Sequence, residues 1–149
     1  MKITSVQTPQ QPFEIRKIDK NYFAIFYNNV TESSDINGMT GQSITMWDYD
    51  KYSLEIPYSV NLAARIESDY ANWLQKAKDA EKLVEETKIR DYRDQLLNDI
   101  DVKYCNAEKW TNMTDDKKSE WTAYKQALRD VPEQSGFPYT ITFPKIPKF

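Results

Sequence analysis

The chain has 149 residues, a net charge of −3, 40% hydrophobic and 13% aromatic residues, and no histidine. That length holds one domain with a real core or two small units, and the aromatic content marks a folded chain. The missing histidine excludes Ser-His-Asp and Cys-His nucleophiles and nearly all zinc sites. Lysine and arginine are spread along the chain, and their densest group, Arg16, Lys17 and Lys20, is too small for a nucleic-acid footprint. No segment approaches the ~20 apolar residues that span a bilayer, and the single Cys105 reads as an incidental or structural thiol.

From the N-terminus, the Gln/Pro-rich residues Gln7 to Pro12 predict a loose arm. Phe13 to Ile18 and Tyr22 to Tyr27 are short aromatic and β-branched runs separated by Asp19-Lys20-Asn21, which predicts a β-hairpin. Thr31 to Gln42, rich in Ser, Asp, Asn and Gly, predicts a loop. Ser43 to Trp47 and Tyr52 to Tyr58 predict two further strands, with a bend at Asp48 to Lys51. A small antiparallel sheet of three or four strands follows.

After Pro57 the apolar period changes from 2 to about 3.6. Leu62, Ile66, Tyr70, Trp73, Ala77, Ala80 and Val84 share a helical stripe, and neither Gly nor Pro interrupts Asn61 to Asp101. The helix can therefore extend through Ile89, Tyr92, Leu96 and Ile100, about 40 residues or roughly 60 Å, with Glu86 to Lys88 as a break point. Val102 to Met113 lacks a period and predicts a connection. Thr114 is a good N-cap with Asp115 and Asp116 in the first turn, so a helix should run to about Asp130. Pro132 stops it. The expected seam sets Tyr92, Leu96 and Ile100 against Trp121, Tyr124 and Leu128. Tyr139 to Phe143 alternates at period 2 between Pro138 and Pro144, which predicts a short edge strand or a ribbon laid on the helices. The fold class is α+β: a small antiparallel sheet (1–58), a connecting amphipathic helix (59–89), and a helical hairpin with an extended proline-rich tail (90–149).

Chemistry-bearing groups are scarce. With three glycines there is no phosphate-cradling loop. The paired carboxylates Asp48/Asp50, Glu81/Glu85, Asp91/Asp94 and Asp99/Asp101 are the only candidates for acid catalysis. The helical pairs interleave with Lys82, Lys88, Arg90 and Arg93, as a solvated face does. Tyr22, Phe23, Phe26, Tyr27, Trp47, Tyr49 and Tyr52 fit a sheet core before a sugar groove. No catalytic residue, metal ligand or cofactor is expected. Tyr139, Ile141, Phe143, Ile146 and Phe149 are too apolar for water as one patch, so they cover their own helices or reach a partner.

The run Trp121-Thr-Ala-Tyr124-Lys-Gln126-Ala-Leu128-Arg129-Asp130-Val-Pro132, with Leu96-Leu97 before it and Phe143-Pro144-Lys-Ile-Pro147 after it, resembles the phage tail assembly chaperone-like domain of tail fibre assembly proteins. Lys125 stands where that family carries arginine, and Val102 where it tends to have tryptophan. In the N-terminal half, Trp47-Asp-Tyr-Asp-Lys-Tyr52 to Pro57, with Asn61-Leu62 and Asn72-Trp73-Leu74, resembles small phage tail-associated proteins. The resemblance implies a non-enzymatic assembly chaperone that binds a phage tail or tail fibre protein, working in the host bacterial cytoplasm or carried in the virion tail. The spread of charge and the lack of a long apolar stretch predict no nucleic-acid or membrane partner, and the long helix offers a surface for self-association. Trp121, Tyr124, Gln126, Leu128, Arg129, Asp130 and Pro132 are then structural, and Tyr139 to Phe149 carries the binding. A structural virion subunit (fibre-anchoring or baseplate) and a carbohydrate-binding module are the alternative readings.

Overall fold

The computed structural model describes residues 1–148. They form two compact units, Met1–Glu81 and Lys82–Phe149, the latter described up to residue 148. The first is a four-stranded sheet with helical cover. Strands β1 (Lys2–Ser5), β2 (Phe13–Ile18), β3 (Asn21–Ile36) and β4 (Ser43–Ile56) are ordered β1-β4-β3-β2, all neighbours antiparallel. Asp19, at positive φ, makes the tight β2–β3 turn.

Two expectations are corrected here. The predicted loop from Thr31 to Gln42 shrinks to Asn37–Gln42, because Thr31 to Ile36 pair with Asp48 to Ser43 as a hairpin extension. The predicted bend at Asp48 to Lys51 lies inside β4, a single strand of 14 residues. Polar residues on both faces hid the first, and a register shift between Asn28 and Thr31 lets the second run straight by placing the irregularity on β3. Asn37 closes the turn: its carboxamide oxygen accepts from the N–H groups of Met39 (2.9 Å) and Thr40 (3.3 Å). The edge strand β1 was not foreseen.

One sheet face buries Ala24, Phe26 and Ile56, with Phe13, Ile15, Tyr22, Tyr52 and Leu54 beside them. Helix α1 (Leu62–Ser68) and the start of α2 (Tyr70–Asp99) cover it with Leu62, Ile66, Leu74 and Ala77. The Tyr70 ring meets Phe26 at 5.8 Å, and its hydroxyl donates to the Tyr27 carbonyl at 3.1 Å. The expected helix is thus two helices, but the break is at Asp69 (φ −143°, ψ 42°) and not at Glu86 to Lys88, through which α2 passes unbroken. At the break the Asp69 N–H donates to the Ile66 carbonyl and the Asp69 carbonyl accepts from the Trp73 N–H, both at 3.2 Å, while Asn72 donates to the Asp69 carboxylate at 2.9 Å.

The second unit holds the rest of α2, a π-helical turn (Ile100–Tyr104), α3 (Ala107–Asn112), α4 (Asp115–Arg129) and a 3₁₀ turn (Val131–Glu133). Val102 to Met113, read as a connection, is therefore largely helical. Asn106 caps α3 by accepting from the Lys109 N–H at 3.0 Å, a signal too short to stand out in sequence. No described helix is long and apolar enough to cross a membrane.

Candidate partner-binding surface

The surface is built on α4. Thr114 caps it as expected, accepting from the Lys117 N–H, with Asp115 and Asp116 in the first turn and Arg129 in the last. Spacing at i, i+3 and i+7 turns Trp121, Tyr124 and Leu128 inward, where they form one cluster with Ile100. Trp121 is 1% exposed, stacks on Tyr104 at 5.2 Å and meets the edge of Tyr124 at 5.9 Å. Leu96, Leu97, Trp110, Met113 and Phe143 pack around the cluster. Tyr92, expected in the seam, is instead 52% exposed: it stands a full turn before Leu96, where its ring edge meets Phe143 at 5.1 Å.

The remaining motif residues close the helix. Gln126 donates to the Asp130 carboxylate at 2.8 Å, the Asp130 N–H returns to the Gln126 carbonyl at 3.0 Å, and Arg129 is exposed. Pro132 is the second residue of the 3₁₀ turn, whose first residue, Val131, is fully buried. Lys125 pairs with Asp101 of the π-helical turn.

The segment after α4 is held by side chains rather than by a sheet. Gln134 acts as a neighbouring strand would: its amide donates to the Thr142 carbonyl at 2.9 Å and accepts from the Thr142 N–H at 2.8 Å. Between them the chain turns tightly, with the Thr140 N–H on the Gly136 carbonyl at 2.7 Å. A Cβ on Gly136 would lie 2.1 Å from the Thr140 carbonyl oxygen, so only glycine fits. Arg90 lies over the Phe137 ring at 5.2 Å, and the Lys117 ammonium donates to the Lys148 carbonyl at 2.7 Å.

Of the edge strand or ribbon expected at Tyr139 to Phe143, the strand does not form: Tyr139 belongs to the turn, and Ile141 to Phe143 make no ladder among the described residues, with the Thr142 backbone held by Gln134 instead. Of the residues expected to reach a partner, Tyr139 and Ile146 face outward (63% and 50% exposed), while Ile141 and Phe143 are half-buried. Phe149 lies outside the described residues. Sequence reasoning missed Gln134, Gly136 and Lys117; the Gln134-Ser-Gly136 run carried a turn signal but no hint of Thr142.

Electrostatics here do not activate a nucleophile. Burial pushes the Cys105 thiol upward, and Asp101 adds to this while Lys125 opposes it. Burial likewise raises Tyr124, reinforced by Tyr92 and Tyr104. Both groups stay protonated and neutral at pH 7.

No curated protein and no solved structure matches the chain at a significant level. Residues 86–148, which contain the buried cluster, all of α4 and the segment it supports, match the family model of the phage tail assembly chaperone protein.

Proposed function

We propose that this protein assists phage tail assembly by holding a tail or tail fibre protein through non-catalytic contacts of its C-terminal unit. The family match over residues 86–148 carries the reading. Within that stretch Trp121, Tyr124 and Leu128 are buried, so they support the surface and do not form it. Recognition is assigned to Tyr139, Ile141 and Ile146, which lie on the segment whose backbone the Gln134 and Lys117 bonds fix at Thr142 and Lys148. Pre-ordering of this kind lowers the entropy lost on binding. Phe143 contributes from below by fixing that path against Tyr92. The protein acts in the host cytoplasm while tails are assembled.

Affinity capture from phage-infected cells tests this. Wild-type protein should retain a tail or fibre protein, and Tyr139→Ser with Ile146→Ser should lose it while remaining folded. Equal retention by the double variant would sink the assignment of the surface. Mass spectrometry of purified virions should find the protein missing; fixed stoichiometry in the particle would make it a structural subunit instead.

A further inference from the structure

The N-terminal unit carries a second, separate feature. Beyond the register shift at Asn28/Thr31, β3 and β4 continue as a ribbon of six residue pairs, Thr31↔Asp48 to Ile36↔Ser43, which β1 flanks on the β4 side at Asp48 and Trp47 only. The β2 ladder ends at Phe13↔Phe26, with one more bond from the Tyr27 N–H to the Pro12 carbonyl. From Asn29 to Ile36 the outer edge of β3 therefore has no ladder partner among the described residues. Free edges are ordinarily shielded by lysine or proline, since they template pairing with other chains. Neither residue, nor any arginine, occurs between Asn21 and Asp50. The register shift lies at the base of the ribbon and leaves the edge itself open.

Charge selects what can pair there. The ribbon's ionised groups, Glu32, Asp35 and Asp48, are all acidic. Hydrogen bonds from Thr4 and Ser33 hold Asp48 below the usual carboxylate range, so it stays charged. A second copy of the same edge would bring like charges together, which destabilises cross-strand pairs. We propose that the edge Asn29–Ile36 accepts an extended, lysine- or arginine-bearing segment of a partner protein as an added strand. Main-chain bonds would supply affinity, and Glu32 and Asp35 the choice of basic side chains. This concerns the sheet unit and stands or falls apart from the C-terminal reading.

The test uses the full chain and an eight-residue peptide alternating lysine with valine and threonine, followed by amide hydrogen exchange. Saturating peptide should slow exchange at residues 29–36. The same peptide methylated on alternate backbone nitrogens should bind about tenfold more weakly, the weight of one or two main-chain hydrogen bonds. Glu32→Lys combined with Asp35→Lys, both at exposed positions, should weaken the unmethylated peptide by a similar factor. Protection elsewhere or none at all would overturn the proposal. So would equal affinity for the methylated peptide, which would mean charge attraction without strand pairing. Dimerisation of the free chain with protection at residues 29–36 would assign the edge to a second copy.

Discussion

The two units solve the same problem with opposite means. In residues 1–81 order comes from ladders, two joining consecutive strands and one joining β1 to β4, and the core is a sheet face closed by Ile66 and Phe26. In residues 82–148 there is no ladder; one indole, Trp121, anchors the cluster, and side chains such as Gln134 and Lys117 tie the backbone down. A sheet distributes its stability over many pairs, whereas the C-terminal unit concentrates it in a few residues. Single substitutions should therefore be felt more sharply there.

Breaking that contrast begins with Trp121. Trp121→Ala should cost about 3–5 kcal/mol, the usual effect of emptying a buried aromatic site. Hydrogen exchange should accelerate across α4 while the amides of β3 and β4 keep their protection; loss of protection in both units would mean that they unfold together. Gly136→Ala comes next, at about 1–3 kcal/mol, since the new methyl must displace the Thr140 carbonyl. Thermal melts should register it, and an unchanged midpoint would show that the turn relaxes freely. Gln134→Ala should cost about 1 kcal/mol, because its two bonds are to exposed backbone that water can satisfy. Its readout is faster exchange of the Thr142 amide, with α4 unaffected.

The smallest effect sharpens the comparison from the sheet side. Burial first, then the hydrogen bond to Glu14, raises the Tyr27 phenol from 10.0 to about 12. Its folded pKa lies above the unfolded value, so the stability it contributes is complete below pH 10 and lost as pH rises toward about 12. Burial works against the Glu14 carboxylate, but the hydrogen bonds from Tyr27 and Arg16 outweigh it and hold its pKa low. Tyr27→Phe should flatten the alkaline limb of a pH melt; an unaltered limb would assign the loss to other groups.

Local signals made the C-terminal unit legible. Thr114 with Asp115 and Asp116, the Trp121, Tyr124, Leu128 spacing and Pro132 each act within a few residues, and α4 follows from them with its buried face. The sheet was legible only in its aromatic hairpin, Phe13 to Tyr27. Its long strands owe their length to pairing, so Ser33 and Ser34, turn formers by composition, are strand residues opposite Met46 and Thr45. The grip on Thr142 was invisible, because a glutamine eight residues away leaves no periodic trace.

The irregularity at Asn28/Thr31 also changes parity. Up to Asn28, the even-numbered residues of β3 share a side with the even-numbered residues of β4, as Phe26 does with Tyr52; from Thr31 on, the odd-numbered ones do, as Ser33 does with Met46. Substitutions stepped by two along β3 therefore cross from one side of the ribbon to the other at Asn29 and Val30, whereas the same steps along β4 stay on one side throughout.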